Sequence, residues 1–244
     1  MTLTLATDDN GGPEIFASLQ GEGPSAGMPV AFVRLSRCNL ACQWCDTAYT
    51  WHFDGDDRFH RDGVTFDRKA NQVTLPVEDV AGMVAGLGMD RLVITGGEPL
   101  LQGPALSILA DALPDMAIEI ETNGTTTAPV RLDINVDQYN VSPKLSHSGN
   151  PAELALIAER LDTYATDSRA FFKFVIATPA DVQEVLALHA RFHFRPGHVF
   201  LMAEGTDSAT LREREKWLSA LCVQHGFRMS DRLHIHLYGD TRGT

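Results

Sequence analysis

Short β-branched or apolar runs recur along this chain, most followed by a polar turn and then a helical pattern. That rhythm restricts the fold to strand–helix units around a largely parallel sheet. The runs are Pro29–Leu35, Arg91–Thr95, Ala117–Glu121, Asp137–Val141, Phe171–Ile176, His198–Met202 and Leu233–Leu237. Helical periodicity is expected over Val77–Leu87, Pro104–Leu113, Pro151–Leu161, Pro179–Phe192 and Ser208–Gly226. Six or seven strands fall short of a complete eightfold barrel. The predicted class is α/β, an incomplete, open (partial TIM-like) barrel of about six βα units. Residues 1–244 read as one domain. Within it Trp51–Leu75, polar and without period, reads as an inserted loop.

The unusual residues follow the runs. Cys38–Cys45 comes after the first, Gly96-Gly97-Glu98-Pro99 after the second, Thr122-Asn123-Gly124 after the third and Ser142-Pro143-Lys144 after the fourth. Ala203–Thr206 and Gly239–Gly243 follow the sixth and seventh. Parallel strands point their C-terminal ends one way, so these loops are expected to converge on one face, where barrel active sites sit.

Composition excludes several classes. Hydrophobic residues make up 44% and charged residues 21%, as in an ordinary globular chain. The formal charge of −12 gives no general attraction to nucleic acid or anionic lipid, and no Lys/Arg run marks a local one. Met1–Gly12 is polar and lacks the parts of a signal peptide, and no apolar run approaches the ~18 residues of a membrane span. A cytoplasmic location is expected. In a reducing compartment, three clustered cysteines suggest a metal site rather than disulfides.

Cys38-Asn-Leu-Ala-Cys42-Gln-Trp-Cys45 has the spacing C-x3-C-x2-C. Three close thiolates can wrap a 4Fe-4S cluster, which normally takes four cysteines, so one iron keeps an open position. The amino and carboxylate groups of S-adenosylmethionine can occupy it. A zinc site with His52 as fourth ligand is the competing reading, but zinc usually takes two separated C-x2-C pairs and only one is present. Cys222 falls on a helical face with Leu211, Leu218 and Leu221 and reads as a buried thiol.

The cysteine motif followed by a strand and Gly96-Gly97-Glu98-Pro99 resembles the radical S-adenosylmethionine superfamily. A narrower resemblance, to the 7-carboxy-7-deazaguanine synthase family, runs from about Glu14 to the end. It rests on Ile15–Gly23 with its Gln20-Gly21-Glu22-Gly23, Phe32–Leu35, Trp44–Thr47, Glu121–Gly124, Ser142–Lys144, Lys173–Val175 and Gly239–Gly243.

That resemblance implies a lyase that converts 6-carboxy-5,6,7,8-tetrahydropterin to 7-carboxy-7-deazaguanine with loss of ammonia, in queuosine and deazapurine biosynthesis. A 5′-deoxyadenosyl radical abstracts the C6 hydrogen. The implied cofactors are the 4Fe-4S cluster, S-adenosylmethionine and Mg²⁺. The implied partners are the carboxypterin, a reductant such as flavodoxin or ferredoxin, and a second copy in a homodimer, with no direct nucleic-acid or membrane contact. Carried onto this sequence, Leu19, Gln20, Gly21 and Thr95 contact substrate, and Arg34 pairs with its carboxylate. Glu121 either binds the pterin's N–H edge or is a strand-end carboxylate held by backbone. Thr47 either helps hold Mg²⁺ or is a turn hydroxyl. Trp44, Cys45, Asp46, Gly97, Ser142, Pro143 and Lys144 line the cofactor, and Thr244 reaches the substrate.

Of the other tempting residues, His189 falls on the stripe of Val182, Val185 and Leu186 and reads as a satisfied core or boundary histidine. His234 and His236 alternate in the last run and are expected to face one side of a strand. His52, His60, Asp54, Asp56 and Asp57 read as loop residues. A radical activase acting on a glycyl-radical protein shares the cysteine motif, but Gln20–Gly23 and Arg34 favour a small carboxylated substrate.

Overall fold

The computed structural model describes residues 1–244. Its strands are β1 (Thr2–Ala6), β2 (Ile15–Leu19), β3 (Pro29–Leu35), β4 (Gln72–Pro76), β5 (Arg91–Gly96), β6 (Ala117–Thr122), β7 (Gln138–Val141), β8 (Ala170–Ile176), β9 (Val199–Ala203) and β10 (Arg228–Ser230). They form one sheet in the order β10-β9-β8-β7-β6-β5-β3-β1-β4, with β2 on β3 off this path. Pairings from β3 to β10 are all parallel, whereas β1, β2 and β4 pair antiparallel. The sheet does not close, which is the incomplete α/β barrel expected.

The helices are α1 (Arg68–Asn71), α2 (Val77–Gly86), α3 (Gly103–Asp111), α4 (Val130–Asp133), α5 (Ala152–Ala155), α6 (Ala158–Thr166), α7 (Asp181–Phe192), α8 (Ser208–His225) and α9 (Leu233–Tyr238). Strand alternation decides what each face carries. On β6, Ile118 and Ile120 join the main core with Leu106 and Leu109 of α3. The residues that alternate with them, Glu119 and Glu121, turn to the other face. On β8, Phe172, Phe174 and Ile176 enter that core, while Lys173 lies opposite. The inner face is therefore mixed, with these charged groups beside Val175, Phe200 and Met202 and a small cluster of Val30, Phe32 and Val93 with Phe16 packed against it.

Five expectations are corrected. Leu233–Leu237 is helical, and the last parallel strand lies upstream at β10. A run this short carries too little period to tell the two apart. His234 and His236 consequently point different ways: His234 lines the cavity, whereas His236 meets Ser208 and Glu215 of α8. The Pro151–Leu161 pattern is split into α5 and α6, because Leu156 and Ile157 leave helical backbone angles. Met1–Gly12 is not simply polar, since Leu3 and Leu5 of β1 are fully buried. The segment 51–75 lacks regular structure up to Phe66, apart from one bridge between Phe53 and Phe66, but it ends in α1 and β4. No helix is long and apolar enough to cross a membrane.

Candidate active site

The loops leaving the C-terminal ends of the parallel strands surround one cavity of about 420 Å³. All three motif cysteines line it, as do Leu19, Gln20, Gly21, Arg34, Trp44, Asp46, Thr47, Thr95, Gly97, Glu121, Ser142, Lys144 and Thr244. Pro143 does not; it is buried beneath the lining while its neighbours Ser142 and Lys144 face the cavity.

Each cysteine sulfur has a polar side chain beside it. Asn123 Nδ2 lies 3.9 Å from Cys38 Sγ, Asn150 Nδ2 3.3 Å from Cys42 Sγ and Thr47 Oγ1 3.6 Å from Cys45 Sγ. Burial pushes the Cys38 thiol up to about 12 and the Cys42 thiol up to about 11. Thiolates in such a place need a metal centre to stabilise them. No fourth sulfur or ring nitrogen joins them. His52 Nδ1 is bonded to Val64 O at 2.8 Å, His60 Nε2 to Cys45 O at 2.9 Å, and Cys222 Sγ sits 3.7 Å from Arg228 O in the core. This three-thiol set fits a cluster with one open iron better than a four-ligand zinc site. Trp44 adds a second observation, because its indole Nε1 is buried without a partner at the cavity wall. A bound cofactor offering an acceptor would satisfy it.

The Gly-Gly motif serves loop packing as well as the cavity. A Cβ on Gly97 would meet Arg37 O at 2.1 Å, and one on Gly96 would meet Leu35 O at 2.0 Å. Gly97 N donates to Leu35 O and Glu98 N to Arg37 O, at 3.0 and 2.9 Å. The two loops therefore lie backbone to backbone, which only glycine permits. Burial pushes the Glu98 carboxyl up to about 7, although it accepts from Asn123 N, Leu100 N and Thr122 Oγ1.

On the other side of the cavity, Glu121 accepts from Thr95 Oγ1 at 2.7 Å and Gln20 Nε2 at 3.2 Å. Gln20 Nε2 also donates to the fully buried Glu119, at 3.0 Å. Gln20 thus orients Glu121 more than it offers polar atoms of its own. Arg34 Nε donates to Glu14 Oε1 at 2.7 Å, and Tyr49 donates to the same carboxylate at 2.9 Å. That pair fixes one edge of the guanidinium.

Sequence reading missed the ion network that joins these parts. Arg232 donates from Nε to Glu22 Oε1 at 3.0 Å, from Nη1 to Gly205 O at 2.6 Å and from Nη2 to Asp46 Oδ2 at 2.5 Å. Lys173 pairs with the other Glu22 oxygen. Burial opposes charge on Glu22, but Lys173, Arg232 and His234 outweigh it and hold the carboxyl below the usual range. Burial holds His234 below its ordinary pKa, with Arg232 adding to the effect against Glu22. Lys173 had a signal, as the lone cation of an otherwise apolar strand, and Glu22 stands inside the Gln-Gly-Glu-Gly stretch. Arg232 had none.

His189 is also corrected. It packs edge-on to Phe227, but its buried Nδ1 has no partner, so it is a boundary histidine that is not fully satisfied.

The comparisons agree with this geometry. Residues 33–148 match the Radical SAM superfamily model. The 7-carboxy-7-deazaguanine synthase of Pyrobaculum aerophilum is 38% identical over 94% of this chain and 95% of its own. That of Halobacterium salinarum is 35% identical over 95% and 91%. The crystal structure of QueE from Escherichia coli superposes with a TM-score of 0.65 at 26% identity, covering 95% of each chain. Streptococcus suis SuiB bound to its precursor peptide matches with a TM-score of 0.53 at 13% identity over 82% of this chain and 47% of that one, a likeness of fold alone. With three thiols, a carboxylate and a guanidinium on one cavity, and with end-to-end similarity of this extent, the chain belongs to the 7-carboxy-7-deazaguanine synthase family.

Proposed function

We propose that this chain is a carbon–nitrogen lyase that converts 6-carboxy-5,6,7,8-tetrahydropterin to 7-carboxy-7-deazaguanine with loss of ammonia, in queuosine and 7-deazapurine biosynthesis. The observation that carries it is the meeting of Cys38, Cys42 and Cys45 with Arg34 and Glu121 around one cavity. When bound, the 4Fe-4S cluster and S-adenosylmethionine supply the 5′-deoxyadenosyl radical that takes the substrate's C6 hydrogen, with Mg²⁺ as a further cofactor.

The chain's own residues then bind and orient. Arg34, anchored by Glu14 through Nε, keeps its remaining N–H groups for the substrate carboxylate. Glu121, aimed by Thr95 and Gln20, meets the amino and ring N–H edge of the pterin. Leu19, Gly21 and Thr244 complete the substrate wall. Trp44, Asp46, Gly97, Ser142 and Lys144 hold the cofactor, and the Thr47 hydroxyl offers a hard oxygen to Mg²⁺. A reductant such as flavodoxin or ferredoxin, a homodimer, a cytoplasmic location and a single domain over 1–244 belong to the same reading and rest on family membership. Activation of a glycyl-radical protein finds no support in that membership.

The test is anaerobic reconstitution with iron, sulfide, S-adenosylmethionine, Mg²⁺, reductant and the carboxypterin. The deazapurine acid is expected, and zinc without iron would refute the reading. Cys42→Ala should lose all cofactor cleavage; cleavage retained would remove Cys42 as a ligand. Arg34→Ala should weaken substrate binding by roughly 2 kcal/mol, within the range of a lost charge-assisted hydrogen bond, with iron content unchanged. Unaltered affinity would take Arg34 out of the site.

A further inference from the structure

The loop after β7 grips the cysteine loop at four successive residues. Ala41 N donates to Asn150 Oδ1 at 2.9 Å, and Gln43 N donates to Ser148 O at 2.9 Å. Gln43 Nε2 donates to His147 O at 2.7 Å, and the Trp44 ring stacks on His147 with centroids 5.4 Å apart. Cys42, the remaining member of the stretch, meets Asn150 Nδ2 at 3.3 Å from its sulfur. Gly149 makes this approach possible, with φ at 81° turning the chain back.

The orientation of the Asn150 amide is forced. Its Oδ1 accepts the Ala41 N–H, so the opposite end of the group must be the NH₂. One hydrogen of that NH₂ serves Ser148 Oγ at 3.1 Å. The other is left for the Cys42 sulfur. A purely structural clamp needs only the Ala41 and Ser148 bonds, so the sulfur contact is surplus to it. Asn123, also fixed by accepting from Thr125 N and Thr125 Oγ1, presents Nδ2 to Cys38 Sγ in the same sense but farther away.

We propose that Asn150 is a positioning residue that donates its N–H to the Cys42 thiolate and thereby raises the reduction potential of the cluster those cysteines hold. Reduction adds negative charge to a cluster and its sulfurs, and a donor aimed at sulfur stabilises the reduced form more than the oxidised one. The proposal rests on the assignment of Cys38, Cys42 and Cys45 as ligands. Iron analysis reports on that assignment, and the midpoint potential reports on Asn150.

The experiment is a redox titration of the cluster in the reconstituted full chain, followed by EPR, for the wild type, Asn150→Ala and Asn150→Asp. Asp keeps the acceptor for Ala41 N–H but removes the donor to sulfur. Both variants should keep four irons per chain and shift the oxidised-to-reduced ratio at fixed potential about tenfold toward oxidised, which is 59 mV for one electron. Asp should shift it further than Ala. A wild-type midpoint in Asn150→Asp with iron retained would overturn the proposal. If a variant fails to assemble its cluster, pulsed EPR of reduced wild-type protein carrying ¹⁵N-asparagine decides instead. Coupling to an amide nitrogen is expected, and its absence is equally fatal.

Discussion

Gly21 sits where a side chain has no space. A Cβ there would meet His234 Nδ1 at 2.1 Å, and the adjacent Leu233 N donates to Gly21 O at 3.0 Å. The Gln-Gly-Glu-Gly stretch and the start of α9 are thus in direct contact, and Arg232 beside them ties Glu22 to Asp46. Gly21→Ala should push His234 out of place and lower affinity for the carboxypterin roughly tenfold or more, since small displacements of positioning groups are costly. Iron content and cleavage of S-adenosylmethionine without substrate should stay as in the wild type, measured on the same reconstituted sample. At this scale the motif residues were legible, because each carries its chemistry in its type. Their partners were not. Arg232 lies 210 positions from Glu22, and nothing local in the sequence joins them.

At the level of elements, the segment 51–66 behaves as a cover for the cysteine loop, although its polar sequence reads as free loop. Trp51, His52, Phe53 and His60 are all buried, and His60 Nε2 must donate to the Cys45 carbonyl, which can only accept. Arg61 reaches Glu204 at 2.7 Å, which joins the cover to the loop after β9. His60→Ala removes the Cys45 bond and leaves a partial void. A loss of about 2 kcal/mol in urea-denaturation stability is expected. A loss below about 0.5 kcal/mol, the size of an ordinary surface substitution, would mean that the cover is not fastened there. On the far side, His236 stands 3.3 Å from Glu215 and 3.2 Å from Asp231 and fastens α9 to α8 and the end of β10. The helical pattern of α8 was legible because eighteen residues give five turns of period. That of α9 was not, with six residues and one buried side chain.

For the whole molecule, the ion-paired acids and the buried Glu98 make stability depend on pH in two opposed ways. Glu22, Glu204 and the more exposed Asp46 have folded-state values below their ordinary ones, because Lys173 and Arg232, Arg214 with Arg61, and Arg232 respectively hold them charged. Their stabilising contribution is present above the ordinary carboxylate range and is lost as pH falls through it toward the folded values. Glu98, pushed up by burial to about 7, acts in reverse: its contribution declines as pH rises from about 4.5 through about 7. Glu22→Gln should therefore be less stable than the wild type at neutral pH, and its stability should fall less steeply between about pH 5 and 3. Urea midpoints across that range check this, and parallel slopes would show that Glu22 is not held charged.

What the sequence determined by itself was chemistry and order: three thiols in one turn of chain, and a polar loop after nearly every strand. Those properties depend on residue type and short spacing, which no packing can alter. Only the tertiary structure decided which side of each strand looked inward, placing Glu119, Glu121 and Lys173 on the inner face while their neighbours entered the core. It also brought Asn150 to Cys42 across 108 positions. Such pairings exist only after the sheet has curled, because curvature, not sequence distance, sets which loop tips meet.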